Sequence, residues 1–141
     1  MAEGLRIEIV SPERLVLSET VTAVTVPGTE GYFTVMDDHA PFMTTLRTGF
    51  ITVSFGNNRD EIFFVRGGFA DVGNDGLTIL AEEAQPFSEF DHAELQAQIK
   101  AAEEELVRAQ TPEDKSYAQS VVSALLNLAI EAGQLNGAHV H

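Results

Sequence analysis

Ile51-Thr52-Val53-Ser54-Phe55-Gly56-Asn57-Asn58-Arg59-Asp60-Glu61-Ile62-Phe63-Phe64-Val65 sets the fold class of this chain. Its first five residues alternate apolar with polar, as a strand does when it buries one face and wets the other. Gly56-Asn57-Asn58 offers residues that tolerate positive φ where a hairpin reverses. Ile62-Phe63-Phe64-Val65 is apolar on both faces and reads as a central strand. The same period of two continues outward. Leu5, Ile7 and Ile9 alternate with Arg6 and Glu8, Val24 and Val26 flank Thr25, and Gly73-Asn74-Asp75-Gly76 repeats the turn chemistry. Short strands separated by such turns over residues 5–84 predict an antiparallel β-sandwich or flattened barrel.

Pro86 removes a ladder donor, and residues 85–90 read as a boundary. Beyond it the period becomes 3.6. Leu95, Ile99, Ala102, Leu106 and Ala109 share one helical stripe, with Asp91 placed as N-cap and Glu94 three residues on. Thr111-Pro112-Glu113-Asp114 restarts a helix: Thr111 caps, Pro112 takes the first position, and the acids face the positive end of the dipole. Gly133 is expected to end it. The connection is short, so the two helices form an antiparallel hairpin. In the second helix Tyr117, Val121, Leu125 and Leu128 are placed to face the first. Val122, Leu126 and Ile130 form a neighbouring stripe that lies on the sandwich or changes partners. The chain is therefore α+β and mainly β, with a sandwich over residues 1–86, a helical hairpin over 87–133 and a flexible tail over 134–141.

Composition narrows the function. With 141 residues, 44% of them hydrophobic and nine of them Phe, there is material for one core and an appendage. The 22 acidic and 8 basic side chains exclude nucleic acid and disfavour anionic lipid as partners, because phosphate meets like charge. Cysteine is absent, so no disulfide, thiolate metal site or Cys nucleophile exists. No apolar run is long enough to span a bilayer, and Met1-Ala2-Glu3 opens no basic-then-apolar leader, so the chain is expected to stay in the compartment where it is made.

Catalysis on its own is disfavoured. His39 beside Asp37 and Asp38 is the one acid–imidazole cluster, and adjacent residues on an extended segment point in different directions. His92 falls in a first helical turn, and His139 and His141 fall in the tail, where such a pair binds metal only adventitiously. Gly67-Gly68, the one glycine pair, has no phosphate-loop lysine after it. No catalytic, cofactor or metal site is assigned.

Residues 27–49 hold two glycine turns, a short strand and an Ala-Pro corner: Pro27-Gly28-Thr29-Glu30-Gly31-Tyr32-Phe33-Thr34-Val35, then Asp37-Asp38-His39-Ala40-Pro41-Phe42-Met43-Thr44-Thr45-Leu46 and Gly49. So constrained a loop with polar side chains to spare reads as a docking surface. The stretch resembles the P-G-x-E-G-x-F-x-V-x-x-x-H-A-P-x-x-T-x-L-x-x-G signature of the epsilon subunits of bacterial F-type ATP synthase, counterparts of the mitochondrial delta subunit. Val10-Ser11-Pro12-Glu13, Arg66-Gly67-Gly68-Phe69-Ala70-Asp71-Val72, Leu77-Thr78-Ile79-Leu80-Ala81 and Tyr117-Ala118-Gln119 extend the resemblance over almost the whole chain.

The resemblance implies a ten-strand sandwich that is a non-catalytic part of the proton-driven rotor, peripheral on the cytoplasmic face of the bacterial inner membrane and held there only through the complex. By the family's pattern Ser11, His39, Ala40, Pro41 and Thr44 meet the gamma subunit, the rotor shaft. Gly28, Thr29, Glu30, Gly31 and Tyr32 meet the membrane c-ring, with Glu30 and Tyr32 as the contacts. The hairpin either folds on the sandwich or extends into the catalytic alpha/beta hexamer and blocks ATP hydrolysis.

Two departures matter. In several family members ATP holds the hairpin folded through an I/L-D-x-x-R-A motif, whereas this chain reads Phe90-Asp91-His92-Ala93-Glu94-Leu95. Glu94 stands where the arginine would meet phosphate, so the site at Phe90, Asp91 and Glu94 is expected to be degenerate. Residues 87–133 also carry nine carboxylates against Lys100, Arg108 and Lys115. Repulsion from acids in the catalytic subunit then predicts weak inhibition. The alternatives are a free-standing sandwich adaptor for a different partner and a ligand-binding barrel with a helical lid. The uniformly apolar set Leu5, Ile7, Ile9, Ile51, Val53 and Phe55 disfavours the barrel.

Overall fold

A computed structural model describes residues 4–37 and 40–139, with side chains as far as residue 135. Ten strands come first: β1 (Leu5–Val10), β2 (Leu15–Val21), β3 (Ala23–Gly28), β4 (Gly31–Met36), β5 (Phe42–Thr45), β6 (Gly49–Gly56), β7 (Arg59–Arg66), β8 (Phe69–Gly73), β9 (Gly76–Leu80) and β10 (Glu83–Pro86). A 3₁₀ turn (Phe87–Glu89) leads to α1 (His92–Arg108) and α2 (Pro112–His139). The chain divides into two compact units after Phe90.

The strands form two five-stranded sheets, ordered β2-β1-β9-β8-β5 and β10-β7-β6-β3-β4. Their inner faces close on a single core. Leu5, Ile7 and Ile9 of β1, Val24 and Val26 of β3, Ile51 and Val53 of β6, Phe63 and Val65 of β7, and Leu77 and Ile79 of β9 are all buried in it. These are the alternate positions that the period of two selects. One ladder departs from the antiparallel expectation: β1 runs parallel to β9, pairing Ile7 with Leu77 and Ile9 with Ile79. Alternation assigns faces and carries no direction, and the strands between β1 and β9 provide the long crossover that a parallel pair requires.

β7 lies between β10 and β6. That interior place covers its edges, and a second device covers its outer face. Phe64 pairs in register with Phe50, and both rings are buried beneath Phe87 and Phe90. The β6–β7 reversal uses Asn57 at φ 58° and Asn58 at φ 63°, the conformation of a two-residue turn whose twist matches the strands.

In the helical unit the expected caps form. The Asp91 carboxylate accepts from the Glu94 N–H at 2.9 Å, and Thr111 Oγ1 accepts from the Asp114 N–H at 3.0 Å. Glu94 turns to Gln98, whose Nε2 donates to it at 3.1 Å, so Glu94 makes a side-chain pair along the helix surface. α1 and α2 pack on each other. α2 passes through Gly133, where the sequence places its stop, and runs on to His139. A lone helical glycine costs about 1 kcal/mol and does not by itself force a left-handed turn. Ala118, Val122, Leu128 and Ala132 are buried on α2, while Tyr117, Leu126 and Ile130 are exposed. The buried stripe is thus turned by about one residue from the expected one, because a helix apolar over a wide arc leaves its seam undetermined by periodicity alone.

Gly68 adopts φ 115°, and a Cβ there would overlap the Leu80 carbonyl oxygen and come within 2.8 Å of Ala81 Cα. Gly73 has open space around the same position and an ordinary φ. In urea unfolding, Gly68→Ala is expected to lose about 2–4 kcal/mol and Gly73→Ala under about 0.5 kcal/mol. Equal effects at the two sites would refute this account of the β7–β8 corner.

Candidate docking site

The β3–β4 hairpin pairs Gly28 with Gly31 and leaves Thr29 and Glu30 exposed at its tip. Gly31 sits at φ 131°, a backbone state that side chains resist. The tip is fastened to the end of β5. The Thr29 N–H donates to the Thr45 carbonyl at 3.3 Å, the two threonine hydroxyls lie 3.4 Å apart, and Gly28 forms a bridge with Leu46. Arg47 N–H donates to the Pro27 carbonyl at 2.9 Å. Tyr32, expected as a c-ring contact, also makes interactions within the sandwich. Its ring carries the Arg47 guanidinium at 4.8 Å, and its Oη accepts from the Phe50 N–H at 3.4 Å. The residue remains 42% exposed.

Ser11 opens a tight turn in which its N–H donates to the Arg14 carbonyl at 3.0 Å and the Arg14 N–H donates back at 3.3 Å. Its hydroxyl reaches the same Arg14 carbonyl at 3.4 Å. Thr44 pairs with Ala70 on the edge strand β5 and is half-buried, and Ala40 and Pro41 are exposed just before that strand. His39 and Asp38 lie outside the described residues, as do the side chains of His139 and His141.

A further feature links these positions. Register places Leu15, Val10, Leu80, Phe69 and Thr45 side by side across all five strands of the first sheet. This row lies on the outer face, and it is apolar up to its last member. Leu15 is 58% exposed, Leu80 50%, Phe69 49%, and Met43, on the same face of β5, 64%. Of the expected gamma contacts, Ser11 follows Val10 directly in sequence, whereas Thr44 faces the opposite side of β5 from Thr45 and is half-buried. A contiguous exposed apolar surface of this kind is a candidate for contact with another protein. Alternation alone does not reveal it, because Val10, Phe69 and Leu80 are out of phase with the buried positions. Leu15 is turned outward by an irregularity in the β1–β2 ladder at Ile9/Val10, which sets Val10 opposite Leu15. The legible signal is the doubled apolar pair at strand ends, Ile9-Val10 and Ile79-Leu80.

Among the described residues no group of three His, Asp or Glu side chains is placed to hold a metal ion, and no helix is long and apolar enough to cross a membrane. At the motif expected to be degenerate, the Asp91 carboxylate is used as a helix cap and the Phe90 ring packs 5.0 Å from Phe64. The two lie in different units of the chain.

Residues 4–87 match the sequence family described as ATP synthase, Delta/Epsilon chain, beta-sandwich domain. The ATP synthase epsilon chain of Rhizobium etli is 45% identical over 128 residues, covering 91% of this chain and 95% of that one. Those of Sinorhizobium medicae and Brucella anthropi are 46% and 39% identical over the same coverage. Among solved structures, the fold resembles a chain of the Euglena gracilis mitochondrial ATP synthase OSCP/F1/c-ring assembly, with a TM-score of 0.73 at 21% identity, covering 100% of this chain and 84% of that chain. It also resembles a chain of the Tetrahymena thermophila mitochondrial ATP synthase central stalk and c-ring, with a TM-score of 0.66 at 16% identity, covering 92% and 96%. With the strands of its sandwich inside the family match and 91% of its length aligned with such relatives, the chain belongs to the ATP synthase delta/epsilon family.

Proposed function

We propose that this chain is a non-catalytic rotor subunit, clamped to the gamma shaft by the outer face of its first sheet and to the c-ring by the β3–β4 tip. The observation that supports this best is the outer row Leu15–Val10–Leu80–Phe69, exposed at Leu15, Leu80 and Phe69, followed at one end by Ser11 and joined through Thr45 to the glycine hairpin. Torque transfer needs two contact patches on one stiff body. Here hydrogen bonds from Thr29 to Thr45 and from Arg47 to Pro27 couple the patches within a single core, so load passes with little internal give. Proton flow through the ring would turn this body with the shaft and drive synthesis in the alpha/beta hexamer. The chain would sit peripherally on the cytoplasmic face of the bacterial membrane, held through the complex. The Tetrahymena relative is itself part of a central stalk with its c-ring.

The helical hairpin is proposed as a regulatory arm of low inhibitory strength that does not take ATP. Asp91 is committed to capping, Glu94 adds a second carboxylate nearby, and the arm's surplus of acids opposes entry beside other acids.

Phe69→Glu and Leu80→Glu should each weaken co-purification with gamma about tenfold or more, since either buries a charge at the contact. Met36→Glu, exposed on the other sheet, should leave it unchanged. Retention of gamma by both glutamate variants would remove this surface from the reading. Calorimetry with ATP should show no binding at micromolar concentrations; heat that vanishes in Asp91→Ala would overturn the expectation of a degenerate site. Deleting residues after Phe90 should change ATP hydrolysis by the assembled enzyme within about twofold. A rise of several-fold would show a strong inhibitor instead.

A further inference from the structure

The outer face of the first sheet carries a second row beside the apolar one. Register sets Ser18, Glu8, Thr78, Asp71 and Met43 side by side from β2 to β5. Along β1, β9, β8 and β5 this row stands two residues from Val10, Leu80, Phe69 and Thr45, so the two rows are about 6.6 Å apart. Its two ends differ in charge balance. At the β1–β2 end, Ser18 Oγ accepts from Arg6 Nη2 at 2.8 Å and donates to Glu8 Oε2 at 3.5 Å, and Arg6 Nη2 lies 3.9 Å from that same carboxylate oxygen. Glu8 is thus compensated. At the β8 end Asp71 is exposed, and among the described residues no side chain bonds or pairs with its carboxylate.

The next outward positions beyond Asp71 and Thr78 are Gly73 and Gly76, which pair with each other. With no side chains there, a hollow opens beside Asp71, lined also by Arg6, Glu8 and Thr78. A Cβ at Gly73 would meet nothing within 4 Å. An isolated surface carboxylate is ordinarily satisfied by water. Asp71 differs in its neighbours: Phe69, two residues back along β8, is 49% exposed, and Met43, opposite it on β5, is 64% exposed. A protein that covers these two side chains strips water from the carboxylate beside them, and a desolvated charge without a partner is costly.

We propose that the protein docked on the apolar row presents an arginine or lysine side chain to Asp71, with its charged head seated in the hollow beside Gly73. This rests on the reading of the first sheet as the gamma contact, and it names the chemistry gamma must bring: an apolar stripe with a cation on its flank. Helix residues three or four apart stand about 5–6 Å from each other, close to the separation of the two rows. One helix can therefore lay an apolar side chain against Phe69 and a cation against Asp71. A second copy of this chain is the wrong occupant, because at a net charge of −14 it brings like charge to the carboxylate.

The test measures the affinity of gamma for the full chain and its variants at about 0.05 M and about 0.5 M salt, between which exposed charges become largely screened. Asp71→Asn keeps the shape and removes the charge. It should weaken binding about fivefold or more at low salt and less than about twofold at high salt. Asp60→Asn, exposed on β7 of the other sheet, removes the same unit of charge and should leave binding within about twofold. Asp71→Lys should bind still more weakly, and replacing one arginine or lysine of gamma by glutamate should restore it. Thermal unfolding should be unchanged in all three variants, since both positions are exposed. A loss in Asp71→Asn no greater than that in Asp60→Asn overturns the proposal. Tighter binding by Asp71→Asn also overturns it, by showing a carboxylate left uncompensated at the contact. Phe69→Glu separates the two readings. If that variant holds gamma undiminished, the docking face itself is wrong; if it loses gamma while Asp71→Asn does not, only the cation is wrong.

Discussion

The pairing of β1 with β9 is the constraint on which the sandwich and its exposed apolar row both rest. It places the first strand between β2 and β9, so that Ile7 meets Leu77 and Ile9 meets Ile79 on the inner side. On the outer side it sets Val10 beside Leu80. The same ladder therefore closes the core and lays the exposed row across the sheet. A slip of one residue would exchange the two faces, sending Ile7 and Ile9 to solvent and Arg6 and Glu8 inside. With no polar or charged side chain buried among the described residues, that exchange has no partner groups to receive it.

The sheets serve different ends. The first presents apolar side chains outward, the surface proposed to meet another protein. The second uses its outer face internally: Phe50 and Phe64 receive Phe87 and Phe90, while Tyr32 lies beneath Arg47 and accepts from Phe50. Within the sandwich, Leu15, Met43, Phe69 and Leu80 stand exposed on the first sheet, against Met36 and Tyr32 on the second. The net charge of −14 supports solubility without covering that row.

The ion pairs described here are exposed and contribute little to stability individually. Arg14 with Glu89 matters by position, since it joins residues 75 apart in sequence at the end of the sandwich. Stiffness comes from close packing of branched aliphatic side chains between two sheets, which deform little under load.

Local chemistry was enough to establish much of this protein. The period of two marked the strands, Asn57 and Asn58 marked a turn, and Asp91 and Thr111 marked the helix starts, because each depends on neighbours a few residues away. The ordered motifs from Pro27 to Ala81 marked the family. Tertiary structure alone decided the strand order, the parallel β1–β9 ladder, the outward turn of Leu15, the engagement of Tyr32, and the capture of Phe87 and Phe90 by Phe50 and Phe64. These are pairings between residues far apart in the chain. Alternation tells which face a side chain takes, and only the assembled sheets determine what stands on that face beside it.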